Sequence, residues 1–185
     1  EQGIQRLMSI NLLKRLESSV YSFNLTLGRI LELIKSTIQS IDNFEKYGKA
    51  DLDMYEATEN DFDIDDENND YFTVGKKVKI DLADMDYKTW RDELQHDADT
   101  LELLTLMIAD VTPEHDLKLQ TLLHLLDDKM KHPINEGNKK VLIFSAFSDT
   151  AEYLYDQVSV YMKNNYGLDT AVITGTIDGR TTIKG

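Results

Sequence analysis

The chain has 185 residues, 41% of them hydrophobic, enough for one ordinary domain with a sizeable core. It has no cysteine, which excludes a disulfide scaffold, a thiolate nucleophile and a thiolate metal site, and fits a reducing cytoplasm. The formal net charge of −14, taken alone, argues against nucleic acid as a partner.

The distribution of that charge changes the argument. Residues 51–70 carry ten acidic and no basic side chains, residues 1–50 carry seven basic and five acidic, and residues 138–185 carry five of each. Most of the acidity therefore sits in one loop, and the ends are near neutral. A DNA-facing end is compatible with this pattern. No apolar run is long enough to span a membrane.

Residues 4–46 read as one long helix. Leu13, Leu16, Val20, Phe23, Leu27, Ile30, Ile34, Ile38 and Ile41 recur at steps of three and four, which places them on one stripe. A stripe of this length must pack against another helix. Lys14, Arg15 and Glu17 lie off the stripe and read as an exposed ion-pair face.

Residues 51–70 are too acidic and too poor in aliphatic side chains to fold alone, and predict a mobile loop over about 50–70. Alternation over residues 72–80 suggests a short strand or extended strap. Residues 87–110 are helical again, with Trp90, Leu94, Leu101, Leu104 and Ile108 on the apolar face, and Asp97 the exception. Their natural partner is the first helix, giving a long antiparallel helical hairpin. Thr112 as cap and Pro113 at the first position predict the next helix start. Leu119, Leu122, Leu123, Leu126 and Met130 form its face, and Pro133 and Gly137 end it.

The last third changes class. Residues 141–144 are a short apolar run suited to a buried strand. Ser145, Ser148 and Asp149 can cap the helix that follows, and residues 168–175 read as a second strand. Strand, helix and strand with a single crossover make a βαβ unit with parallel strands. The expected fold is thus mainly α with a small α/β part. Two parallel strands do not make a stable sheet, so their edges should pair with a second copy, be covered by helices, or fray. Residues 176–185 are expected to be poorly ordered unless a dimer recruits them.

Three stretches, "LLKRLESSVYSF" (12–23), "DLKLQTLLHLL" (116–126) and "KKVLIFSAFSDTAEYL" (139–154), occur in that order. Together they resemble the Swi/Snf-type group of superfamily-two helicases, in particular the bacterial helicase-related ATPases. The resemblance implies two RecA-like lobes joined by a helical segment. Residues 1–133 would be the helical inter-lobe region, and residues 134–185 a truncated start of the C-terminal RecA-like lobe. The "VLIFS" strand would be helicase motif IV, with "VITGT" falling where a following motif of small and hydroxyl residues sits.

The resemblance implies nucleic-acid contact at Ser145, Phe147, Ser148, Gly175 and Thr176. Hydroxyls and backbone amides at a helix start suit a phosphate backbone that must slide. It also implies an inter-lobe latch at Lys14, Arg15 and Glu17. The whole protein would be a helicase-like DNA translocase using ATP and Mg, partnered by DNA and by an N-terminal ATPase lobe. The chain contains no Gly-x4-Gly-Lys-Ser/Thr loop, because Gly48-Lys49 and Gly75-Lys76 lack the upstream glycine and the hydroxyl. These residues alone are therefore expected neither to bind ATP tightly nor to hydrolyse it, and hold no catalytic residue. Glu1 in place of Met, and Gly185 inside a polar turn-like run, suggest a piece of something longer.

A rival reading needs no enzyme. A helical hairpin with an acidic loop can serve as a protein-interaction module, and the loop can act as an autoinhibitor in a basic DNA channel. His96, His115, His124 and His132 show no ligand spacing with acidic pairs, so no metal site is expected.

Overall fold

The computed structural model describes residues 2–48, 82–175 and 178–184. The acidic loop, the alternating residues 72–80 and Thr176 lie outside the described residues. The elements are α1 (Gln2–Ser18), α2 (Val20–Tyr47), a 3-10 turn (Leu82–Asp84), α3 (Tyr87–Ile108), α4 (Leu117–Lys131), α5 (Ser148–Tyr166), β1 (Ala171–Val172) and β2 (Arg180–Thr181).

The expected single helix over residues 4–46 is two. Ser19 takes an extended conformation (φ −156°, ψ 148°), and its hydroxyl accepts the Ser22 amide at 2.9 Å. A serine that caps a new helix cannot also sit inside the old one. Beyond this break the apolar stripe holds, with Leu27, Ile38 and Ile41 buried. Before it the stripe fails, since Leu13 and Leu16 are exposed. Gly48 ends α2 in the left-handed region (φ 64°), its amide returning to the Phe44 carbonyl.

Helices α2 and α3 form the antiparallel hairpin. Lys35 pairs with Glu102 at 2.5 Å, Asp42 with Arg91 at 2.6 Å, and Glu45 with Lys88 at 3.7 Å. Partner numbers fall along α3 as they rise along α2, which fixes the direction. Ala98 is buried in the α3 face, where a small side chain lets the helices approach. Ile41 and Leu82 close the hairpin tip, with Phe44, Tyr87, Trp90 and Leu94 around them.

Arg91 donates to both oxygens of Asp42, at 2.6 and 3.3 Å, and holds that carboxyl below its usual range. An acid with a depressed folded pKa stabilises the fold above its unfolded value of about 3.9, and the contribution disappears as pH falls through the folded pKa. Asp42→Asn should therefore be less stable than the parent at pH 7, and the two should converge near ~pH 2, read by urea unfolding at each pH. An unchanged gap at both pH values would refute the assignment.

Helix α4 does not start at Thr112-Pro113. Asp116 is its cap, accepting the Lys118 and Leu119 amides at 3.0 Å each. Thr112 instead closes a separate turn, its carbonyl accepting the His115 and Asp116 amides. The expected α4 face holds: Leu119, Leu126 and Met130 are buried, and the last two join Val158 and Met162 of α5 in a core cluster.

The expected parallel βαβ unit is not formed among the described residues. Residues 141–144 belong to no strand, and Leu142 and Phe144 are 83% and 89% exposed. β1 pairs instead with β2, antiparallel, as Ala171 opposite Thr181 and Val172 opposite Arg180. The physical reason is local: a nearby returning segment satisfies the β1 backbone more readily than a distant parallel edge. Within the stretch 176–185, Arg180 and Thr181 pair with β1, and the Thr182 amide donates to the Thr170 carbonyl at 2.9 Å. Among the described residues no helix is long and apolar enough to cross a membrane.

Candidate functional site

The start of α5 is built into the junction of α1 and α2. Phe147 occupies the cap position with no side-chain cap bond. Ser145 does not cap the helix either; its Oγ donates to the Phe147 carbonyl at 3.0 Å and accepts the Phe147 amide at 3.2 Å, closing a small turn. Asp149 also departs from the expected capping role and is committed to two arginines. Arg15 donates to its Oδ2 at 3.1 Å, and Arg29 donates to Oδ2 at 3.0 Å and Oδ1 at 3.3 Å.

Arg15 is 2% exposed, which overturns the expectation of a solvated ion-pair face. Its guanidinium also reaches the Ser22 hydroxyl at 3.4 Å and lies 4.7 Å over the Phe147 ring. Burying a guanidinium is costly unless carboxylate and hydroxyl partners meet it, and here the Asp149 carboxylate and the Ser22 hydroxyl meet its Nη1. The other two residues of the expected latch, Lys14 and Glu17, are exposed, although the Glu17 carbonyl accepts Lys118 Nζ.

Next to Asp149, the Thr150 hydroxyl lies 2.8 Å from that of Ser18 and 3.1 Å from that of Ser19. One turn on, Tyr153 stacks on Tyr21 with centroids 4.8 Å apart and 10° between planes. Its phenol donates to Asp116 Oδ2 at 3.0 Å. Burial, and then the adjacent carboxylate, push the Tyr153 hydroxyl far above the ordinary tyrosine range.

The sequence reading missed Arg29, Asp116, Tyr21 and Tyr153. A signal for the arginines was present. Asn11, Arg15, Ser19, Ser22, Thr26 and Arg29 recur at steps of three and four, a second stripe beside the apolar one. Five of the six are buried, and Arg29 is 24% exposed. A polar stripe at helical period, rich in small hydroxyls, marks a face that packs against another polar element rather than against water.

On the far side of α5 lies an open groove of about 740 Å³. Ser145, Phe147, Ser148 and Gly175, all singled out from the sequence, border it. Ser148 and Phe147 are buried, and Gly175 is exposed. Residues 141–144 and 170–174 form its two walls, and α5 the floor. Arg180 pins the β1–β2 hairpin to α5, lying 4.8 Å over the Tyr155 ring and 3.6 Å from Asp156. Among the described residues no group of three or more His, Asp or Glu side chains converges to hold a metal. No protein-family profile, curated protein or solved structure matches the chain.

Proposed function

We propose that the chain contributes the inter-lobe helical region, residues 1–133, and the start of a RecA-like lobe, residues 134–185, to an ATP-dependent helicase-like DNA translocase. One observation carries this reading. The three stretches that resemble the Swi/Snf-type group are over a hundred residues apart at their extremes, yet they meet at one junction. Arg15 and Ser19 come from the first, Asp116 from the second, and Asp149, Thr150 and Tyr153 from the third. Stretches that resemble one family and also pack on one another are mutually consistent at two levels.

In this reading the turn at 145–148 and Gly175 face one nucleic-acid strand across the groove. Ser145, Ser148 and backbone amides supply neutral donors, which hold phosphate without fixing it. The phosphate-binding loop, Mg site and ATP belong to the partner lobe. Residues 141–144 would be one strand of the RecA-like sheet.

The test is binding of labelled duplex DNA, together with ATP turnover, by the complete translocase polypeptide. Duplex of any sequence should bind at low salt and stimulate hydrolysis. Ser145→Glu, at an exposed position, sets a negative charge against phosphate and should weaken binding about 10-fold, as expected for loss of one good contact and added repulsion. Absence of DNA-stimulated turnover would end this reading. The 185-residue chain alone should show no turnover.

One observation favours the rival interaction module. Leu103, Leu106 and Met107, near the end of α3, are 59%, 70% and 68% exposed. Retention of a protein partner with no effect of DNA or ATP would select it.

A further inference from the structure

We propose that residues 141–144 and β1 form a slot for one added β-strand: an extended segment of a partner chain, apolar at alternate positions, with a carboxylate at the end that meets Lys139 and Lys140. The slot precedes the 145–148 turn and does not depend on the translocase reading.

The backbone is open on both sides of the groove. Val141 and Ile143 are about half as exposed as Leu142 and Phe144, so this segment has the two-faced alternation of a strand. Its amides and carbonyls have no hydrogen-bond partner among the described residues. Across the groove, β1 is paired on one edge only, with β2. The Thr170 carbonyl accepts the Thr182 amide at 2.9 Å, and the Thr170 amide donates to the Thr182 hydroxyl at 2.9 Å. Strand alternation then turns the Ala171 amide and carbonyl to the other edge, where residues 170–174 line the groove. Two open edges thus border one cavity, and an open edge is a template for another strand.

The side chains define the occupant. The groove lining holds no charged residue, and Ala151, Leu154 and Val158 of α5 give it an apolar floor. Side chains that point down from the added strand are therefore apolar. Lys139 and Lys140, at the start of the 141–144 segment, are exposed and have no carboxylate partner among the described residues. A carboxylate flanking the added strand supplies one. The 141–144 segment of a second copy does not fit this requirement, because lysines and no acid flank it.

The probe is acetyl-Glu-Val-Thr-Val-Thr-Val-Glu-amide, with an acid at each end so that either strand direction is served. Amide hydrogen exchange of the 185-residue chain, read by mass spectrometry, should slow about 10-fold over residues 141–144 when the probe saturates. The same peptide with proline for its central valine has no amide to donate there and should give no protection. The double variant Lys139→Glu, Lys140→Glu, at exposed positions, should weaken probe binding about 10-fold, read by anisotropy of a labelled probe. Absence of protection with the probe, equal protection by the proline peptide, or unchanged affinity in the lysine variant would overturn the proposal. Protection that rises with protein concentration in the absence of probe would also overturn it, since a second copy would then be the occupant.

Discussion

Replacing Arg15 by alanine is expected to lower the thermal midpoint by roughly 6–12 °C. Breaking a buried ion pair by removing one partner costs about 3–5 kcal/mol, and the lower end applies here because Arg29 remains on the Asp149 carboxylate. At this chain length each kcal/mol shifts the midpoint by roughly 2–4 °C. The loss includes contact over the Phe147 ring and the bond to Ser22. Arg29→Ala should cost less, about 1 kcal/mol, since Arg29 is partly solvated and its removal leaves Arg15 in place. A larger effect at Arg29 than at Arg15 in thermal unfolding would contradict this ranking.

The second large effect is expected at Asp116. Its carboxylate accepts three hydrogen bonds, two from amides in capping α4 and one from the buried Tyr153 phenol. Asp116→Ala loses a cap, about 0.5–2 kcal/mol. It also strands a phenol, about 1–3 kcal/mol. Together these give about 1.5–5 kcal/mol, whereas Tyr153→Phe, which leaves the cap intact, should cost about 1 kcal/mol. The phenol gives an optical check. A tyrosine whose folded pKa is raised lends stability below its unfolded value of about 10, lost as pH climbs above it. Absorbance titration should show Tyr153 and Tyr166 titrating late in the parent, and the Tyr153 step moved earlier in Asp116→Ala. Coincident titrations would contradict the contact.

Much of the helical architecture was legible because it rests on one strong signal, apolar residues at helical period. Ile38, Ile41, Leu119, Leu126 and Met130 were placed correctly by spacing alone. What was not legible turns on competition between local options. Ser19 can continue a helix or cap a new one, and only its packing against Thr150 decides. Thr112-Pro113 and Asp116 both offer helix starts, and the Asp116 carboxylate takes two amides. Arg15 looked solvated because charge is usually outside. Its burial depends on an aspartate 134 positions away. The strand over residues 141–144 was read from composition, but a strand exists only in its partner's hydrogen bonds, and composition does not supply the partner. The candidate site was legible in part. Ser145, Phe147, Ser148 and Gly175 border one groove, while the arginines behind them were missed.

The hairpin's ion pairs bear on how it can move. Lysine on α2 faces glutamate on α3 at one end, and the signs are exchanged at the other, where Asp42 and Glu45 face Arg91 and Lys88. Each surface pair adds at most about 1 kcal/mol, so their worth is not chiefly stability. A slide of one helical turn, about 5.4 Å, would part all three at once. The arrangement works as a key: the three pairs meet in one register of the two helices and are lost together in the next.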